Sequence, residues 1–337
     1  MNTFVVETSN LTKKFGDLVA VDHINLKIRR GEIFGLLGPN GAGKTTTIHM
    51  LATILKPTSG TAFVMGHNIL KEAGKIRQKI GIVFQDTTID RNLTGFENMW
   101  VYGRLYGLSG GVLKEKIERL LRFVELDKWR DVAIRKYSGG MVRRLEIARS
   151  LLHEPEVLFL DEPTLGLDPH TRVHIWDYIK RIAREQNITI LLTTHYLEEA
   201  DMLCERVAII DYGKIKAIGS PEELKEMISG DIVYIKIKKK DPVLIKKFTS
   251  LIENLVGRQP RFTNGTLIIN VSDAPSTIPR IFELANSVGV VISELRYSRP
   301  SLNDVFIKLT GRSLRDESGS WMNMMQMRMM MRRRRMR

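Results

Sequence analysis

Apolar residues fall along this chain in two alternating rhythms. Short, nearly unbroken apolar runs occur at Glu32-Ile-Phe-Gly-Leu-Leu-Gly38, Ile80–Phe84, Val157–Leu160, Thr189–Thr194 and Val207–Asp211. Runs of this length read as strands covered on both faces, the habit of parallel sheets. Between them, Thr45–Leu55, Val112–Val124, Val142–Leu152, Val173–Glu185 and Leu197–Leu203 space apolar residues three and four apart. That spacing predicts helices with one buried face. Phe4 to Ile28 is short-period and β-rich, with a turn at Gly16-Asp17. Strands alternating with helices predict an α/β fold, a mostly parallel sheet with helices on both faces.

Near residue 220 the character changes. Ser220-Pro-Glu-Glu223 is a helix start, with Ser as cap, Pro at the first position and an acid at the third. Two weaker units follow, Ile232–Lys238 with Pro242–Leu255, and Arg261–Val271 with Pro279–Val288, closed by Val290–Arg296. They predict a small α+β domain of the split βαβ kind. Leu302, Val305, Phe306 and Leu309 then mark one face of an amphipathic helix. The expected division is residues 1–220, residues 221–312, and a charged extension with a Met- and Arg-rich tail over 313–337. That tail holds eight of the 15 methionines, cannot build a packed core and is expected to be disordered.

Composition narrows the class. The chain of 337 residues is 43% hydrophobic and 27% charged, too apolar for a disordered protein. Its single cysteine, Cys204, cannot pair within the chain, which fits a reducing compartment. No stretch reaches the roughly 20 apolar residues of a membrane span, and no secretory leader is expected. The formal net charge is +14, but six arginines lie between residues 321 and 337 without an acid. Without them 46 basic residues face 38 acidic ones, a modest surplus that favours anionic partners and does not mark a nucleic-acid protein. The tail reads as a solvated end, with acidic lipid for Arg332–Arg335, or Cu(I) for the methionines, as alternatives.

The strongest chemical signal is Gly38-Pro39-Asn40-Gly41-Ala42-Gly43-Lys44-Thr45, between a strand and a helix. Glycines allow successive backbone N–H groups to wrap a polyphosphate, and the helix aims its positive end at the anion. Lys44 suits the β- and γ-phosphates, the Thr45 hydroxyl suits Mg²⁺, and Thr46 lies beside them. The partner carboxylates are expected where another buried strand ends, at Asp161-Glu162. Asp161 would hold the Mg²⁺ shell and Glu162 would orient or deprotonate the attacking water. Ser138-Gly139-Gly140, before the helix Val142–Leu152, makes either an ordinary helix cap or a second anion-binding element. Two phosphate elements for one nucleotide point to a site completed by another copy of the domain.

In this order the residues resemble the nucleotide-binding subunit of ATP-binding cassette transporters, over about residues 3–220. The resemblance implies a P-loop cassette fold: a mostly parallel sheet, an antiparallel β subdomain, and a helical subdomain at about 94–135. By the same resemblance Phe15 stacks on adenine and Gln85 touches Mg²⁺ and senses a membrane partner. Ser138-Gly139-Gly140 is similar to the signature motif, Asp168 to the aspartate of the dimer-interface loop, and His195 to the switch histidine on the γ-phosphate. Two features depart from the pattern. Tyr137 and Met141 flank the signature where leucine and glutamine are usual, and the interface loop reads Leu165-Gly-Leu-Asp168. A methionine cannot make the hydrogen bonds of a glutamine.

Pro300–Glu317 is similar to the C-terminal ending of subunits in the daunorubicin- and doxorubicin-resistance exporter family. Together the resemblances imply a peripheral ATPase on the cytoplasmic side of the cell membrane. Two copies close around two Mg-ATP and drive a separate permease, with no nucleic acid expected as partner. The rival readings are a cassette ATPase that acts on DNA or the ribosome, and a regulatory binder that does not hydrolyse ATP.

Overall fold

A computed structural model describes residues 3–311 apart from 229, 239–241 and 264. The expectations for 313–337 lie outside the described residues. The described residues fall into two compact units, 3–221 and 222–311.

The first unit runs β1 (Phe4–Phe15), β2 (Leu18–Ile24), β3 (Lys27–Arg29), β4 (Ile33–Leu37), α1 (Lys44–Leu51), β5 (Ser59–Val64), β6 (His67–Asn68), α2 (Ala73–Arg77) and β7 (Ile80–Val83). It continues with α3 (Gly95–Leu105), α4 (Gly110–Phe123), α5 (Gly139–Ser150), β8 (Val157–Asp161), α6 (Pro169–Gln186), β9 (Thr189–Thr194), α7 (Leu197–Leu203), β10 (Arg206–Asp211) and β11 (Lys214–Gly219). The central sheet has the order β11-β10-β4-β9-β8-β7. Every pairing in it is parallel except the hairpin of β10 with β11. All residues of β4, β8 and β9 are buried, as continuous apolar runs in a doubly covered sheet require. A second sheet, β2-β1-β5-β6 with β3 against β1, is antiparallel throughout. Its inner faces share one core with β4, α1 and β8, through Val6, Leu11, Ile28, Phe34, Ile48 and Phe159.

Several boundaries differ from the sequence expectation. The helix expected over Thr45–Leu55 stops at Leu51, because Thr53 turns left-handed (φ 62°) and the Ile54 and Leu55 amides bond back to His49. The segment 94–135 is helical, opening with a capping box in which Thr94 and Glu97 satisfy each other's orphan amides. Strands β5, β6 and β11, which apolar runs do not reveal, are short and partly exposed.

The second unit holds α8 (Pro221–Glu226), β12 (Asp231–Ile237), α9 (Pro242–Val256), β13 (Arg261–Thr263), β14 (Thr266–Val271), α10 (Ala274–Ser287), β15 (Ile292–Ser298) and α11 (Leu302–Thr310). The sheet order β13-β14-β12-β15, antiparallel throughout, is the split βαβ arrangement. Val233, Ile235, Leu267 and Ile269 pack with Phe248, Ile252 and Ile281 of α9 and α10. Helix α10 begins at Ala274 rather than Pro279, because Asp273 caps it by accepting from the Ser276 amide. Pro275 takes the tolerated first-turn place, and Pro279 stands inside the helix. Helix α11 buries Leu302, Val305 and Phe306, while Leu309 is half-buried. Among the described residues no helix is long and apolar enough to cross a membrane.

Candidate nucleotide site

The parallel strands β4, β8 and β9 end side by side, and the chain turns polar at all three ends. Beyond β4 the loop reverses through Gly41 (φ 81°) and Gly43 (φ 102°), backbone that side chains rarely adopt. Gly38 is small for a different reason, since a Cβ there would lie 2.2 Å from the Ile210 carbonyl oxygen. Within this loop Pro39 and Ala42 are buried while Asn40 is exposed. Helix α1 starts at once, with Thr45 and Thr46 half-buried in its first turn. The buried Lys44 ammonium donates to the carbonyls of Gly38 (2.7 Å) and Pro39 (3.0 Å) and pairs with Glu162 Oε1 at 3.0 Å.

Beyond β8 the two carboxylates take separate partners. Asp161 Oδ1 accepts from the hydroxyls of Thr45 (2.9 Å) and Thr193 (2.6 Å). Asp161 Oδ2 is buried without a hydrogen-bond partner. Glu162 stands in left-handed backbone (φ 49°), and its amide donates to Thr193 Oγ1 at 2.9 Å. Its Oε2 lies 2.6 Å from His195 Nδ1, just past β9. Burial pushes the Glu162 carboxyl up, but the His195 contact and the Lys44 charge overcome it and hold it below the usual glutamate range.

The donor set suits Mg²⁺: a buried carboxylate oxygen without a partner, beside a hydroxyl in the first turn of the helix that follows a glycine loop. Lys44, Thr45, Asp161, Glu162 and His195 thus form one linked cluster.

Among the described residues the other candidates make no side-chain hydrogen bond to this cluster. Gln85 is exposed beyond β7, and Phe15 is 49% exposed with the Lys13 ammonium 5.1 Å from its ring centre. Ser138 is exposed and caps α5, accepting from the Met141 amide at 3.2 Å. Gly139 is exposed; Gly140 is buried where α5 meets the start of α6, and a Cβ there would lie 2.4 Å from Thr171 Cγ2. Asp168 caps α6 through the Thr171 amide (3.0 Å) and hydroxyl (2.6 Å), bonds that hold its carboxyl below the usual range. Tyr137 donates to the Trp129 carbonyl at 2.7 Å.

Two residues of the site escaped the sequence reading. Thr193 bridges Asp161 to the Glu162 amide, and Arg143 of α5 donates to the carbonyls of Asp161, Glu162 and Pro163. For Thr193 a signal existed: a hydroxyl two residues before His195 at the end of an apolar strand.

Fold and loop together define a P-loop ATPase of the cassette type. Residues 21–165 match the ABC transporter family, and residues 219–310 match the C-terminal domain of DrrA1-3-like ATP-binding proteins. The chain is 38% identical over 317 residues to the daunorubicin/doxorubicin resistance ATP-binding protein DrrA of Streptomyces peucetius, covering 94% of this chain and 95% of that one. It is 40% identical over 317 residues to the Nod factor export ATP-binding protein I of Cupriavidus metallidurans, covering 93% and 100%. Among solved structures, a dimeric post-hydrolysis state of the ATP-binding cassette MJ0796, bound to ADP and Pi, matches with a TM-score of 0.59 at 29% identity. It covers 64% of this chain and 98% of that one. The chain belongs to the ABC family as an ATP-binding subunit of the drug-resistance and export type, and it is an ATPase.

Proposed function

We propose that the chain is the ATPase of an exporter for lipophilic or antibiotic-like molecules. Two copies close around two Mg-ATP and drive a separate permease from the cytoplasmic face of the membrane. The observation that carries this reading is the linked cluster of Lys44, Thr45, Asp161, Glu162 and His195 at the ends of three parallel strands. The relatives support the cargo class by their names, which speak of daunorubicin and linearmycin resistance and of Nod factor export.

In this reading Thr45, Asp161 and Gln85 would hold Mg²⁺, which when bound would neutralise phosphate charge. Phosphate draws the Lys44 ammonium away from Glu162. The Glu162 carboxylate then keeps His195 but loses a cation, so burial raises its proton affinity. It becomes a better acceptor for the proton of the attacking water once substrate is bound. His195, held by Glu162, faces the γ-phosphate, and Phe15 supplies the face for adenine. The start of α5, with Ser138, Gly139 and Gly140, serves the nucleotide of the other copy, and Asp168 meets it across the interface. Hydrolysis removes the γ-phosphate that bridges the halves, and the dimer opens.

Glu162→Gln tests this. The variant should lose turnover, retain ATP and run as a dimer with Mg-ATP in gel filtration, as a monomer without it. Co-purification of a membrane permease with the chain supports transport, whereas co-purification of nucleic acid or ribosomes supports the rival. A Glu162→Gln protein hydrolysing ATP at the wild-type rate ends the assignment of Glu162.

A further inference from the structure

Helix α5 presents a stripe of three charged residues, Arg143, Glu146 and Arg149, to the chain that follows β7. The Arg143 guanidinium donates to the Phe84 carbonyl at 2.7 Å, immediately before Gln85. Glu146 accepts from the Thr87 hydroxyl (2.8 Å) and the Thr88 amide (3.0 Å), two and three residues after Gln85. Arg149 donates to the Thr88 carbonyl at 3.0 Å. Gln85 is therefore exposed at the crest of a loop both of whose feet are fastened to one helix.

The same guanidinium reaches the opposite way. It donates to the carbonyls of Pro163 (2.7 Å), Glu162 (2.8 Å) and Asp161 (3.2 Å), and its charge is met by Glu146 at 3.0 Å. Both members of that pair are buried. Glu162 has left-handed backbone, which a non-glycine residue keeps only where its surroundings over-determine it. The bonds that do so are the Thr193 hydroxyl on its amide and Arg143 on three consecutive carbonyls. A lysine has three donors on a point charge and cannot reproduce a planar fork spread over four carbonyls.

We propose that Arg143 is a positioning residue for ATP hydrolysis. It fixes the turn that aims Glu162 and, with Glu146, joins that turn to the Gln85 loop and the start of α5. This rests on the reading of Glu162 as the group that serves water and of Gln85 as the sensor of Mg²⁺ and permease. Movement of the Gln85 loop is then transmitted to Glu162 through one guanidinium, without travelling through the nucleotide. The start of α5 is the part offered to the other copy's nucleotide, so Arg143 also ties the two hydrolytic sites of a dimer to each other.

Removing Arg143 alone would strand the Glu146 carboxylate, so the test uses Arg143→Lys and the double variant Arg143→Met/Glu146→Gln, which leaves no unpaired charge. Turnover is measured per site titrated with bound ATP, so that a misfolded fraction does not count. Both variants should lose about tenfold or more in kcat with KM for ATP within about threefold of wild type. Thr87→Val, at an exposed residue, should lower kcat by a smaller factor and combine non-additively with Arg143→Lys. In a Glu162→Gln background both Arg143 variants should still form the Mg-ATP dimer.

Wild-type kcat per titrated site in the two Arg143 variants, or additive effects with Thr87→Val, overturns the proposal and leaves the ATPase reading intact. So does a loss confined to KM or to the folded fraction, which is the mark of a purely structural role. A Glu162→Gln protein with wild-type turnover overturns the proposal along with the assignment beneath it.

Discussion

Thr193→Val is the sharpest test of how the two adjacent carboxylates are held, because it changes two bonds and almost no volume. The wild-type hydroxyl is fully buried, donates to Asp161 Oδ1 at 2.6 Å and accepts from the Glu162 amide at 2.9 Å. Valine deletes a hydrogen bond to a charged acceptor, worth about 1.5–3 kcal/mol, and leaves a buried amide unpaired at a cost of about 1–3 kcal/mol. The replacement methyl fills the space and recovers part of this, which sets the expected loss at roughly 3 kcal/mol. For a domain of this size that lowers the melting temperature by roughly 6–12 °C. Thr193→Ser keeps both bonds and loses one buried methyl, about 1 kcal/mol. Urea unfolding of the three proteins reads the difference as a shift of midpoint at constant slope. Turnover per titrated site should fall in the valine variant and survive in the serine one. If valine costs no more than serine, the hydroxyl does not hold the Asp161–Glu162 turn and the account of that turn fails.

Three further outcomes follow from the geometry. Lys44→Ala should abolish turnover and weaken ATP binding, as measured with a fluorescent nucleotide. It also removes one of the two partners that hold the Glu162 carboxyl low, leaving burial opposed by His195 alone. In wild type the lowered carboxyl contributes stability above about pH 4.3 that is lost as pH falls through its folded pKa. The urea-midpoint deficit of Lys44→Ala should therefore be larger at pH 7.5 than at pH 4. Glu199 has the opposite sign: burial raises its carboxyl against the donors Thr194, Thr164 and Trp176, so wild-type stability declines as pH rises above about 4.3. Glu199→Gln keeps an acceptor and should remove that decline, giving a relative gain at pH 8 that is absent at pH 4. Gly140→Ala drives a Cβ to 2.4 Å from Thr171 Cγ2 and should cost about 1–3 kcal/mol by thermal unfolding, with Thr171→Ser, which deletes that methyl, restoring most of it.

Much of the fold is legible in the sequence because burial on both faces leaves a strong mark. Runs such as Val157–Leu160 and Thr189–Thr194 have the length and apolarity of covered strands, and the polar residues that end them are the site. Helix α7 coincides with its expected range, Leu197–Leu203, since its apolar spacing stops where Cys204 turns extended. The edge strands β6 and β11 are illegible because half-exposed residues at hairpins carry no run. Arg143 is illegible for a different reason. An arginine on a helix reads as a solvated charge, and its partners here are backbone carbonyls, which have no letter in a sequence. The left-handed turn at Glu162 is hidden likewise, since no glycine marks it. Ser138 and Asp168 show how one residue satisfies a local rule and remains available for more. Each caps a helix through its side chain, and each stays exposed.

The buried charges near the strand ends explain why neighbouring carboxylates have such different company. Around the end of β8 the buried acids Glu146, Asp161, Glu162 and Glu199 share their surroundings with the buried cations Lys44 and Arg143. Arg143 is committed to Glu146, and Lys44 lies on Glu162. Glu199 meets its burial by holding its proton more tightly. Asp161 is left with hydroxyls alone on one oxygen and nothing on the other. A hydroxyl can rotate and turn a lone pair toward a metal, which an ammonium cannot do. Asp161 is thus the member of the pair whose partners adapt to a divalent cation. Glu162 is the member whose cation can be drawn off by phosphate, so adjacent positions on one strand end are fitted for metal binding and for proton transfer.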